Sequence, residues 1–140
     1  MTRKASLKAV ADSSAERFDA RYYAKWYGAD EDREDIAERA AAFVSSYVDH
    51  LDSSISTVLD LGCGLGLWKR ALGKHYKGMR YTGVEYSAHL CEKYGWEQGD
   101  AATYSTNRKY DLVICQGVLQ YLTDAQCERA IQNLGRLSRR

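Results

Sequence analysis

Apolar positions recur along the chain with two different periods, and the change between them divides it. Up to about residue 57 the spacing is helical: Phe18, Tyr22, Tyr23, Trp26 and Tyr27 fall on one stripe, and Gly28 closes it. A second helix starts at Asp30 with an acidic first turn (Glu31, Asp32, Glu34), which suits the positive end of a helix dipole. Its stripe of Ile36, Ala40, Phe43, Val44, Tyr47, Val48 and Leu51 is expected to face the core. From residue 58 onward short apolar runs of strand length alternate with helical stretches. Strands are expected at 58–61, 81–85 and 110–114, with a short one at 96–98. Between them Leu67, Trp68, Ala71 and Leu72 predict a helix to about Tyr76, stopped by Gly78, and a second over 88–94 is stopped by Gly95. Thr123 and Gln126 have the spacing of a capping box, opening a helix with Cys127, Ala130, Ile131, Leu134 and Leu137 on one face. Strand–helix alternation predicts an α/β fold with a mainly parallel sheet and flanking helices. Residues 1–12 are polar, lightly basic and without period, and are expected to be a mobile tail.

The segment that carries chemistry is Val58-Leu59-Asp60-Leu61-Gly62-Cys63-Gly64-Leu65-Gly66. A β-branched run ends in an acid and in alternating glycines, and a helix follows at once. Such a turn lets main chain approach a ligand closely and leaves the free N–H groups of the helix start beside it. Two further acids end predicted strands: Glu85 after 81–84, and Asp100 after Gly99. A carboxylate about 20 residues beyond a glycine turn is placed to accept from ribose hydroxyls. A dinucleotide fingerprint would want its third glycine at position 67, which is Leu67, and the third glycine here is Gly66.

Composition narrows the classes. With 140 residues, 45% hydrophobic and 28% charged, the chain fits one ordinary globular domain. A net charge of +1 supplies no field for nucleic acid or an anionic membrane, and no apolar run approaches a membrane span or a signal peptide. The cytoplasm is the expected location. Cys63, Cys91, Cys115 and Cys127 are scattered, and His50, His75 and His89 lack a second ligand at a metal spacing, so no metal site is expected.

The pattern Asp60-x-Gly62-x-Gly64-x-Gly66, with Glu85, Asp100 and the run 110–122 in order, resembles the class I S-adenosylmethionine-dependent methyltransferases of small-molecule type. The resemblance implies a Rossmann-like parallel sheet with S-adenosylmethionine as cofactor. It implies cofactor contacts from Asp60, Gly62, Cys63, Gly64, Glu85, Tyr86, Asp100, Ala101 and Gln116. Asp60 would face the methionine amino group, Glu85 the ribose and Asp100 the adenine. The amino-base methyltransferases of nucleic acids carry an Asn/Asp-Pro-Pro-aromatic motif after the fourth strand. This chain has no proline and reads Gln116-Gly117-Val118-Leu119 there, so a small-molecule acceptor is expected. No catalytic base is identifiable, and Gln116 and Tyr121 are lining candidates only. The domain plan is a tail at 1–12, helices at 13–57 that also serve as a lid, and a cofactor-binding core at 58–140. Members of that family continue for several more strands. The topology is therefore expected to be incomplete at the C-terminus, with Leu112-Val113-Ile114 as an open edge that a partner chain or second copy covers, or else the chain is a truncated product. Two other functions stay open: a non-catalytic cofactor-binding or scaffold module, and a nicotinamide-dependent oxidoreductase.

Overall fold

The computed structural model describes residues 18–27 and 31–139, so the expected tail and the roles of Gly28 and Asp30 lie outside the described residues. The elements are α1 (Ala20–Tyr27), α2 (Glu31–His50), β1 (Thr57–Leu61), α3 (Leu67–His75), β2 (Arg80–Glu85), α4 (Ala88–Tyr94), β3 (Glu97–Gln98), β4 (Leu112–Ile114) and α5 (Asp124–Leu137). A single 3-10 turn, Leu119–Tyr121, precedes α5. The strands form one parallel sheet in the order β3-β2-β1-β4. Alternating strand and helix gave this result because a parallel partner can be reached only by a long crossover.

β1 is buried along its whole length because it lies between β2 and β4. Its side chains alternate between two cores, as strand geometry requires. Val58 packs with Ala37, Ala41, Ala71, Leu72 and Ile114 under α2 and α3. Leu59 and Leu61 pack with Val84, Ala101, Tyr110, Ala130 and Leu137 under α5. Leu59, Leu61, Leu72 and Leu137 are fully buried, each worth roughly 2 kcal/mol.

The stripe expected to bury α2 is shifted by one position. Ala37 and Ala41 are buried, with Val44 and Val48 packed against the core, while Ile36, Phe43, Tyr47 and Leu51 are exposed. Two apolar stripes run along this helix, and the one bearing alanines lets α2 approach α3 closely. Phe43 stacks on Tyr47 at 6.5 Å outside the core. A similar substitution occurs on α5, where Ile131 is 57% exposed and Asn133 turns inward. Its amide donates to the carbonyls of Ala101 and Tyr104, each at 2.9 Å, and ties the loop after β3 to α5. The capping box of Thr123 and Gln126 forms, and Gly95 closes α4 in the left-handed conformation.

β4 is aligned by Asp111, whose carboxylate accepts from the Ser56 and Thr57 N–H groups and the Thr57 hydroxyl. Its other edge carries no full strand among the described residues. The segment after α5 nevertheless meets the first rung: Tyr110 N–H donates to Leu137 O and Arg139 N–H to Tyr110 O, a parallel bridge at Ser138. No helix among the described residues is long and apolar enough to cross a membrane.

Candidate functional site

The strand order places the site. β2 and β3 lie on one side of β1 and β4 on the other, so the chain reverses direction across the sheet between β1 and β4. Ligands of open α/β sheets bind outside the strand ends at such a reversal. A cleft of about 920 Å³ opens there, lined among others by Asp60, Gly62, Cys63, Gly64, Glu85, Tyr86, Asp100, Ala101 and Gln116. All nine candidate positions thus share one cavity, of a size that suits a small molecule.

The glycine turn is shaped by two different demands. Gly62 has φ +83°, and a Cβ there would sit 2.2 Å from Val118 Cγ2, so the turn after β4 presses on the turn after β1. Gly64, with φ +52°, would put a Cβ into open space. Its free side is the cleft, and only backbone conformation calls for glycine there.

Glu85 holds this turn. Its Oε2 accepts from Gly64 N–H at 2.8 Å, and its Oε1 from Tyr86 and Ser87 N–H at 2.9 and 3.0 Å. An ionised carboxylate has about four acceptor sites, so about one is left for a ligand. Asp60 is 1% exposed, and its Oδ2 accepts from the Tyr81 hydroxyl at 2.6 Å. Burial pushes its carboxyl up to about 7; the Tyr81 bond opposes this and the neighbouring charge of Glu85 adds to it. Burial also raises the Tyr81 phenol, which therefore stays a donor. Asp100 Oδ1 accepts from Ala102 N–H at 2.7 Å, which shapes the loop after β3. Burial likewise raises the Cys63 thiol, keeping it uncharged inside the turn.

Three contacts at the site were not read from the sequence. Trp96 is not part of β3: its indole N–H donates to Gly64 O at 2.9 Å, and its ring would lie 2.9 Å from a Cβ on Gly66 and 2.6 Å from one on Gly83. Tyr81 reaches Asp60 because alternate residues of neighbouring strands share a face, a signal that strand parity does contain. Trp68 Nε1 donates to Gln116 Oε1 at 2.6 Å, joining α3 to the turn after β4. The same cleft is lined by Phe18, Tyr22, Tyr23, Trp26 and Tyr27, with Tyr121 from the 3-10 turn. The hydroxyls of Tyr22 and Tyr121 are 3.0 Å apart, and the Ser87 hydroxyl donates to Phe18 O. The Phe18 ring also lies 6.4 Å from that of Tyr86, so the aromatic cluster packs against the segment that follows Glu85. Among the described residues no group of three or more His, Cys, Asp or Glu could hold a metal.

Comparison with known proteins agrees with this fold. The magnesium protoporphyrin IX methyltransferase of Synechocystis, solved with bound S-adenosylmethionine, superposes with a TM-score of 0.62 at 21% identity, over 89% of this chain and 69% of that one. An amino pentose methyltransferase of Micromonospora echinaspora, also with S-adenosylmethionine, gives 0.61 at 20% identity over 74% of this chain and 47% of that one. A sugar N-methyltransferase of Streptoalloteichus gives 0.61 at 25% identity over 71% and 43% respectively. The chain spans about half the length of the first solved structures it matches, 47%, 47% and 43%. No curated protein matches the sequence. The family model for the methyltransferase domain matches residues 58–140, from the first residues of β1 through α5. The match takes in every strand of the sheet and both turns that meet across the cleft, and the chain belongs to the methyltransferase domain family.

Proposed function

We propose that the chain binds S-adenosylmethionine in this cleft and serves methyl transfer to a small-molecule acceptor. One observation carries the reading: the open side of Gly64 and two buried carboxylates, Asp60 and Glu85, line one cleft at the reversal of strand order. Those groups fit the cofactor. Asp60 Oδ1 would accept from the methionine ammonium, which would hold the carboxyl ionised. The remaining site on Glu85 takes one ribose hydroxyl, and Asp100 Oδ2 the adenine amino group. Gly62, Cys63 and Gly64 line the methionine portion, Tyr86 and Ala101 flank the nucleoside, and Gln116 closes the side toward β4.

When bound, the cofactor supplies an already activated methyl group on a sulfonium. The chain's own task is then to orient and to exclude water. Trp96 holds Gly64, Glu85 ties Gly64 to the start of α4, and the aromatic helix α1 covers the cleft as a lid. Four free thiols suit a reducing compartment, and we place the protein in the cytoplasm.

Calorimetric titration with S-adenosylhomocysteine should give a micromolar dissociation constant, about −8 kcal/mol. No heat and no thermal shift at millimolar ligand would overturn the proposal. Tighter binding of NAD would replace it with a nicotinamide-dependent reading.

A further inference from the structure

Resting on the reading of the cleft as a cofactor site, we propose that Tyr81 is a positioning residue: it ties one oxygen of Asp60 so that the other meets the cofactor's ammonium group, and binding expels a proton from the cleft. The two oxygens of this carboxyl have different surroundings. Oδ2 accepts from the Tyr81 hydroxyl at 2.6 Å. Oδ1 has no hydrogen-bond partner among the described residues, yet the Tyr76 hydroxyl is the only fully enclosed side-chain atom there that lacks one. Solvent therefore reaches Oδ1, and the open space that Asp60 borders is the cleft.

Tyr81 is itself held from behind. Its ring lies 6.0 Å from that of Trp96, and Lys69 Nζ stands 5.9 Å from the Tyr81 centroid and 5.4 Å from that of Trp96. Trp96 donates to Gly64 O, so one layer of side chains supports both the acid and the glycine turn. The titratable groups around Asp60 are Tyr81 and Glu85 of β2, Cys63 in the glycine turn and Cys115 beyond β4. Of the helices on that side, α3 brings Lys69 to Tyr81, and α2 brings Arg33 to the cleft. Burial raises the phenol and both thiols, which stay uncharged, and Glu85 is engaged by three main-chain N–H groups. The exchangeable proton is then that of Asp60, whose carboxyl burial pushes up to about 7. A phenol that donates to Oδ2 leaves this proton on Oδ1, where it opposes an incoming ammonium, donor against donor. It must pass to solvent before the ammonium can bind, and the Tyr81 bond, which favours the ionised carboxylate, eases its departure.

The test titrates the chain with S-adenosylhomocysteine, which carries the same ammonium, between about pH 6 and about pH 8.5. Buffers of different ionisation enthalpy let the calorimeter count protons. The parent should release close to one proton at the acid end and almost none at the alkaline end, and Asp60→Asn should release none at either. Tyr81→Phe keeps the ring against Trp96 and loses only the hydroxyl. Its proton release should persist about one pH unit higher. Its affinity should be about tenfold below the parent's near pH 6 and within about twofold near pH 8.5. Methylthioadenosine, which lacks the ammonium, should bind parent and Tyr81→Phe alike, which a merely structural role for Tyr81 would not produce. Failure of S-adenosylhomocysteine to bind the parent overturns the cofactor reading. Its binding with a loss in Tyr81→Phe that is equal at every pH and shared by methylthioadenosine, or with proton release unmoved in Tyr81→Phe or retained in Asp60→Asn, overturns the positioning role alone.

Discussion

Replacing Glu85 by alanine should damage stability and ligand binding together, because one carboxylate serves both. It accepts three main-chain N–H groups, from Gly64, Tyr86 and Ser87, at 2.8 to 3.0 Å. Hydrogen bonds to a charged group are each worth about 1.5–3 kcal/mol. Two of the three share one oxygen and are local, and water can enter from the cleft, so the net loss should be about 3 kcal/mol. For a chain of this length that corresponds to roughly 10 °C in melting temperature. Glu85→Gln separates the bonds: its amide oxygen can keep the Tyr86 and Ser87 contacts, but its NH2 then faces the Gly64 N–H, donor against donor. That variant should lose about 1.5 kcal/mol. Urea denaturation followed by far-UV circular dichroism reads both, and S-adenosylhomocysteine titration should show weakened binding for each. If Glu85→Ala unfolds at the parent's midpoint with the same slope, the carboxylate does not hold the turn and the account of the cleft fails.

Asp60 predicts opposite pH trends with and without ligand. Its folded carboxyl lies near 7 and its unfolded one near the usual ~3.9, so between those values the folded state binds the extra proton. Stability of the ligand-free chain should fall as pH rises from about 4 to about 7, by on the order of 4 kcal/mol, then level off. Cofactor affinity should rise over the upper part of the same window, as an ionised Asp60 becomes available to the ammonium. Asp60→Asn should flatten both curves, and a parent whose melting temperature rises steadily from pH 5 to 7 would contradict the burial argument. Gly83→Ala should cost about 1–3 kcal/mol by overpacking, since its Cβ would lie 2.6 Å from Trp96 and 2.9 Å from Cys63 Sγ; an unchanged thermal midpoint would show that Trp96 yields freely. Trp96→Phe keeps an aromatic ring over the glycines but loses the bond to Gly64 O, and should lower stability by about 1 kcal/mol in the same urea assay.

The order of elements, the parallel sheet and the gathering of Asp60, Glu85, Asp100 and the glycine turn were legible in the sequence, because each rests on local signals. Strand-length apolar runs, glycine stops and an acid at a strand end act over a few residues, and alternation of strand and helix then restricts the topology. Thr123 with Gln126 is the clearest case, a cap written in four consecutive residues and formed as written.

What the sequence left open depends on which surfaces meet. α2 carries two apolar stripes, and its own periodicity cannot choose between them. The closeness of α3 decided for Ala37 and Ala41, and left Phe43 and Tyr47 outside. Asn133 took the inward place over Ile131 because carbonyls of the loop after β3 needed a donor there. Glu85 was legible as a ligand acid but not as the anchor of Gly64, twenty-one residues away, since that bond exists only once β1 and β2 are paired. Trp96 and the Trp68–Gln116 pair likewise join elements far apart in the chain. Local chemistry determined what each segment is; long-range packing decided which side chains face one another, because contacts between distant segments leave no period in the sequence to read.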